Sequence, residues 1–204
     1  GNKQVVTESG KTIVTKTVVN VAGLGSSKLT ARYGGEHFDL NPRRGQFIIF
    51  DEVSRSAVNK ILLPIPTAQT KGVLVIPTIS GNLLAGPTAE DFPLDESKAT
   101  DTTIEGLQLM LKGASRLFPS LNSYPRIGRF AGIRCACKQG TYLLRYNDGL
   151  PGILTVSGIR STGVTSCPAL ADHLIQGLVA ECGLSLTKDP YAVDGRSDNS
   201  WPGW

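Results

Sequence analysis

Two stretches of this sequence carry residue types that chemistry could use. The first is Phe130-Ala-Gly-Ile-Arg134, in which an arginine closes an apolar run. An arginine among apolar side chains needs a partner for its charge. Its planar guanidinium can grip a carboxylate or a phosphate through two hydrogen bonds. An internal salt bridge to an Asp or Glu would serve equally well, and the residues alone leave both readings open. The second stretch is Gly152-Ile-Leu-Thr-Val-Ser-Gly-Ile-Arg-Ser-Thr-Gly-Val-Thr-Ser-Cys-Pro-Ala-Leu-Ala171. It reads as a buried strand, a glycine-rich turn and a helix start. Unbonded N–H groups and the positive end of the helix dipole would converge on Gly163 to Ser166 and stabilise negative charge there. The bland alternative is an ordinary strand–loop–helix connection. Arg160, in the turn, is either a second anion ligand or a loop arginine facing water.

Other reactive types are less well placed. Cys135, Cys137, Cys167 and Cys182 contain no C-x-x-C pair, and His37 and His173 lie far from them, so metal binding is a weak reading. Four thiols without an evident pairing pattern suit a reducing cytosol. His173, within a helical pattern, reads as a packed or surface histidine, and Tyr142 and Tyr146 as strand aromatics. The chain of 204 residues is 40% hydrophobic and 19% charged, enough for a buried core. Its net charge of +4 comes from scattered Lys and Arg, with Arg43-Arg44 the only adjacent basic pair. That pattern argues against a nucleic-acid binder. No apolar run approaches the ~18 residues of a membrane span, and no signal-peptide layout opens the chain.

The elements that must position these residues follow from periodicity and turn residues. Residues 3–21 predict a hairpin turning at Glu8-Ser9-Gly10, its second arm running into Val18-Val19-Asn20-Val21, a strand expected to be buried on both faces. A short helical turn follows around Ser26 to Ala31. Short strands are expected at 46–50, 61–63, 73–76 and 82–85, punctuated by prolines, in an antiparallel or mixed layer. Residues 102–118 predict a helix opened by a Thr102/Glu105 capping box and stopped by Pro119. Strands at 126–134, 141–146 and 153–157 come next. A last helix is expected from Thr165 to Glu181, with Leu170, Leu174 and Leu178 on one face and Gly183 ending it.

A series of motifs in order along the chain resembles the D-amino-acid oxidase superfamily of FAD-dependent enzymes. The strand–Gly–turn–helix stretch from Gly152 resembles its C-terminal flavin-binding segment. Val19-Asn-Val-Ala-Gly-Leu24 resembles its Asn-Ala-Ala-Gly strand end. Asn41-Pro-Arg-Arg-Gly-Gln-Phe47 resembles the start of its substrate domain, and Phe130-Ala-Gly-Ile-Arg134 its Phe-Ala-Gly-Leu-Arg strand. Lys71-Gly-Val-Leu-Val-Ile-Pro-Thr78 and Gly81-Asn-Leu-Leu-Ala-Gly-Pro-Thr-Ala-Glu90 are similar to the branch of glycerol-3-phosphate dehydrogenase-like and 2-hydroxyglutarate oxidase-like proteins. Two departures stand out. There is no Gly-x-Gly-x-x-Gly, which in the family lies N-terminal to all of these motifs, so the chain reads as a C-terminal portion. Arg160 stands where the family often has an uncharged or acidic residue.

The resemblance implies an α+β chain: a mixed β-sheet substrate domain with one covering helix, plus the C-terminal remnant of an FAD-binding α/β layer. Residues 1–40 and 151–190 would belong to the FAD layer, 41–150 to the substrate domain, and 191–204 to a flexible tail. FAD would contact Gly23, Gly158, Gly163, Val164 and Thr165. A small anionic substrate, a 2-hydroxy acid or glycerol-3-phosphate, would be held by Arg134 and Arg160, with Arg44 and Gln46 shaping the base of the site and Gly86 and Thr88 lining it. Hydride would pass to the flavin, and electrons onward to a quinone, oxygen or a redox protein; no general base is identified. The competing readings are an amino-acid or amine oxidase and a non-catalytic binding module that keeps the fold. The expected location is the cytoplasm or the periphery of a membrane. An apolar surface left bare by a partial cofactor layer predicts a homodimer of this portion.

Overall fold

Chain order alternates between two compact units, one formed by Gly1–Asp39 together with Gln139 onward, the other by Leu40–Lys138. The computed structural model describes residues 1–52, 57–67, 70–91, 93 and 100–186. The expected 191–204 tail lies outside them.

The first unit opens with the predicted hairpin, β1 (Lys3–Val6) antiparallel to β2 (Thr12–Thr15). β3 (Val18–Asn20) then pairs in parallel with β10 (Ile153–Ser157), which is antiparallel to β9 (Leu143–Tyr146) on its other side. Every residue of β10 is buried, the polar Thr155 and Ser157 along with Ile153, Leu154 and Val156. β3 is not buried on both faces as its sequence suggests: Val19 is 41% exposed. It lies at the sheet edge with β10 as its one ladder neighbour among the described residues. β9 belongs to the first unit, whereas the boundary expected from the resemblance groups residues 139–150 with the substrate domain.

Asn20 ends β3 in a buried polar network. Its amide donates to the Ser26 carbonyl, to Thr30 Oγ1 and to the Tyr33 hydroxyl at 3.0, 3.1 and 3.0 Å. This fixes helix α1 (Ser26–Arg32) against the sheet. The same Tyr33 hydroxyl reaches Thr155 Oγ1, which donates to Asp148 at 2.6 Å. Every buried polar group here has a partner, as burial demands. Helix α3 (Gly163–Cys182) starts two residues earlier than its periodicity suggests and ends at Gly183 in the left-handed conformation. It buries Leu174 and Leu178 against Leu154 and Val156 of β10.

The second unit is a five-stranded antiparallel sheet. β4 (Leu40–Phe50) is its spine: β8 (Arg126–Cys137) runs along one edge, and β6 (Leu83–Gly86) and β7 (Glu90–Asp91) share the other, with β5 (Leu74–Pro77) outside β6. The 61–63 segment contributes a single bridge, Leu62 to Val75. Helix α2 (Ile104–Leu117) covers one face, packing Met110 and Ala114 onto Ile48, Phe50, Val75, Leu83 and Ala85. Its cap is Thr103, whose hydroxyl accepts from Gly106 N–H at 3.1 Å, and not the Thr102/Glu105 box. The helix begins one residue later than the pattern of its carboxylate implies, and both neighbours are threonines able to cap. No helix among the described residues is long and apolar enough to cross a membrane.

Candidate functional site

Strand register decides which side chains of the second unit share a face. Residues opposite one another on neighbouring strands project the same way, and the direction alternates along each strand. Gln46, Ile48 and Phe50 point to the α2 side with the core. The opposite face then carries three successive rows. The first is charged: Asp91 on β7 faces Arg43 on β4, which faces Arg134 on β8. The second is Gly45 opposite Gly132, and the third is Phe47 opposite Phe130, stacked with ring centroids 4.9 Å apart.

The glycine row is what gives this face its shape. Cβ atoms are missing at both positions, so the surface sinks between the cations and the rings. A Cβ on Gly132 would meet nothing within 4 Å, whereas one on Gly45 would sit 2.9 Å from Arg134 Nη2 and 3.0 Å from Pro87. The guanidinium of Arg134 therefore lies over the bare backbone of Gly45. From there Nη2 donates to the carbonyls of Thr88 (2.8 Å) and Arg44 (3.3 Å).

Among the described residues Arg134 makes no ion pair, and its buried Nε has no hydrogen-bond partner. Among those residues, then, the charge of Arg134 is met by backbone carbonyls and by Asp91 at longer range and not by a salt bridge. Burial, and then the positive charge of Arg43, push the guanidinium below its ordinary pKa, with Asp91 acting in the opposite direction. Both causes penalise a lone cation, and both would be relieved by an anion. Arg43 is engaged with Asp91 through Nε and Nη2 at 2.5 and 2.6 Å.

The other expected substrate contacts lie on the helix side. Arg44 pairs with Glu90 at 2.7 Å. Gln46 is 0% exposed; its amide donates to Glu90 (2.6 Å) and Thr103 Oγ1 (3.2 Å), and its carbonyl oxygen accepts from Thr103 N–H (2.7 Å). Thr88 is buried too, donating to Glu90 at 2.6 Å and accepting from Gln46 N–H at 3.1 Å. These residues form a buried brace. Their contribution to the open face is the Thr88 and Arg44 carbonyls that hold Arg134.

In the first unit, β10 ends at Gly158, with φ 72°. A 3-10 turn, Arg160–Thr162, follows and leads into α3. Arg160 itself adopts φ 60°, unusual for a side-chain-bearing residue. No side chain caps α3, so the first-turn N–H groups from Gly163 onward have no intrahelical partner. Val164 is 91% exposed. Gly23, at φ 56°, opens the short 3-10 turn before α1. Tyr142, which reads as a plain strand aromatic, precedes β9 and bonds through its hydroxyl to Thr162 and, at 3.4 Å, to Ser166. It thereby pins the first turn of α3. No local pattern marks that role, because the partners lie 20 and 24 residues away.

A family model described as DAO, FAD dependent oxidoreductase, matches residues 1–176. The chain belongs to that family. Among FAD-dependent oxidoreductases, a glycerol 3-phosphate dehydrogenase of Caloramator mitchellensis is 36% identical over 161 residues, which are 79% of this chain and 33% of that protein. A glycerol 3-phosphate oxidase of Mycoplasma pneumoniae is 28% identical, over 86% of this chain and 44% of its own. The chain thus spans between a third and a half of these relatives. The solved structure of the L-alpha-glycerophosphate oxidase of Mycoplasma pneumoniae with FAD bound superposes with a TM-score of 0.76 at 26% identity, over 92% of this chain and 50% of that one. A glycine oxidase of Geobacillus kaustophilus, at 22% identity and TM-score 0.67, shares the fold. The uncapped α3 start, beside a glycine that brings no side chain, fits the anionic end of a flavin as the family implies.

Proposed function

We propose that the protein is an FAD-dependent oxidoreductase that removes hydride from a small anionic substrate at a C–H bond next to oxygen. Glycerol-3-phosphate is the first candidate substrate, a 2-hydroxy acid the second. The observation that carries the reading is the open face of the second unit: a half-buried arginine with no ion pair among the described residues, a side-chain-free row, and a stacked aromatic pair. Arg134 binds the anion through two hydrogen bonds. The glycine row receives the carbon chain, and Phe47 and Phe130 keep water from it. In the first unit, Gly158 and the N–H groups from Gly163 to Thr165 would hold the flavin, and Gly23 would approach it from the β3 end. When bound, FAD supplies the hydride acceptor and passes electrons on to oxygen, a quinone or a redox protein. The α3 dipole favours negative charge developing beside its first turn. The glycerol-3-phosphate preference is supported by the 36% identical dehydrogenase.

The test is the visible spectrum of the full-length protein with FAD, recorded without air. A flavin band that bleaches on adding glycerol-3-phosphate or lactate, but not glycine, supports the reading and selects the substrate. Bleaching by glycine alone would replace it with an amino-acid oxidase. A colourless protein that ignores added FAD would leave the binding-module reading in its place.

A further inference from the structure

Tyr142 has no part in the function proposed above. It stands one place before β9, and its hydroxyl reaches Thr162 and, at 3.4 Å, Ser166 at the start of α3. The hydrogens in this cluster can be assigned. Thr162 Oγ1 donates its one hydrogen to the Ile159 carbonyl at 2.9 Å, and Ser166 Oγ donates its own to the Thr162 carbonyl at 2.8 Å. Both oxygens are left to accept. The phenol O–H of Tyr142 therefore supplies the bond and gives it to Thr162, the nearer of the two. The backbone it holds alternates in hand: Gly158 and Arg160 have φ 72° and 60°, with Ile159 right-handed between them. No side chain caps α3.

We propose that Tyr142 is a positioning residue for the flavin. By tying Thr162 to the start of β9, it fixes the direction of the N–H groups from Gly163 to Thr165. Dipoles aimed in advance at a developing charge stabilise it without having to reorganise. A loose first turn averages the N–H directions, and that average weakens the hold on an anion more than on a neutral ring. Tyr142 thus favours the reduced, negatively charged flavin over the oxidised one, acting through Thr162 and without touching the cofactor. The inference rests on the α3 start being the flavin site, and its test separates the two ideas.

The midpoint potential of FAD on the full-length protein reads this preference directly. Tyr142→Phe keeps the exposed ring and deletes the donor. The preference for reduced over oxidised flavin should fall by about three- to tenfold, a drop of about 15 to 30 mV for a two-electron couple. Thr162→Val should move the potential in the same direction, and adding Tyr142→Phe to it should lower it no further, since the bond is already gone. Val164→Asp is the positional control. It sets a carboxylate on a 91% exposed residue of the first turn, and it should lower the potential if α3 faces the flavin. A potential lowered by Val164→Asp but unmoved by Tyr142→Phe overturns the proposal and leaves the flavin site in place. If neither substitution moves it, the flavin lies elsewhere, and this proposal falls with that part of the proposed function.

Discussion

Arg134 and the two glycines before it act together at the scale of single residues. A guanidinium can lie flat on a strand only where the strand beneath has no side chain, and Gly45 supplies that gap. Gly132 faces open space, so its role is not packing. Gly132→Val should therefore leave the melting temperature within about 2 °C of the parent, since β-branched residues suit strands. The same change fills the hollow between cation and rings, and kcat/KM should fall by at least about tenfold. Comparing thermal melts with substrate turnover checks both halves; full activity with valine in place would show that the hollow is not where substrate sits. Arg134 stands out in the sequence by its apolar neighbours. The row to which it belongs is not legible there, because Asp91, Arg43 and Arg134 meet only through register between strands remote in sequence.

At the scale of elements, the Gln46–Thr88–Glu90–Thr103 brace ties β4, β7 and α2 together. Gly106, in the first turn of α2, sits against the Gln46 amide, and a Cβ there would collide with it. Alanine for glycine in a helix ordinarily stabilises by about 1 kcal/mol. Here the sign should reverse, and Gly106→Ala should cost about 1–3 kcal/mol, measured by denaturant unfolding. Stabilisation would mean that the brace yields freely. Glu90 adds a pH dependence. Burial pushes its carboxyl up, but hydrogen bonds from Thr88, Arg44 and Gln46, with the charge of Arg44, together bring it below its ordinary value of 4.5. A depressed folded pKa gives stability that is present above the unfolded value and lost as pH falls through the folded one. The unfolding free energy should fall more between pH about 7 and about 3.5 in the parent than in Glu90→Gln; equal slopes would remove Glu90 from the acid response. Both long helices and most strands were legible from periodicity. The cap was displaced by one residue because Thr102 and Thr103 are chemically equivalent. The exposure of β3 was hidden because a strand's burial depends on neighbours supplied by distant sequence.

At the scale of the whole molecule, the first unit is assembled from two segments of chain, with β3 relying on β10. A chain ending at Lys138 should lose amide protection at Val18 to Asn20 while β4 and β8 keep theirs, as read by hydrogen exchange. Protection persisting in β3 would show that other contacts hold it. Val6, Val14 and Val21 are 65, 59 and 60% exposed in this unit. Apolar strand surface of this kind favours self-association, so sedimentation at rising concentration should show dimer. A monomer throughout would argue that these valines tolerate water.

The hydroxyls of Ser26 and Ser157, in contact at 2.8 Å, lie 131 residues apart in sequence. During synthesis the ribosome releases β3 and α1 long before β10 exists to receive them. Contacts of such high order form slowly, and the exposed edge must wait through the making of an entire inserted sheet. The second unit, continuous in sequence, can fold as it emerges. The first unit is left as the part a chaperone would need to shield, and expression yield should depend on how quickly residues 139–182 follow.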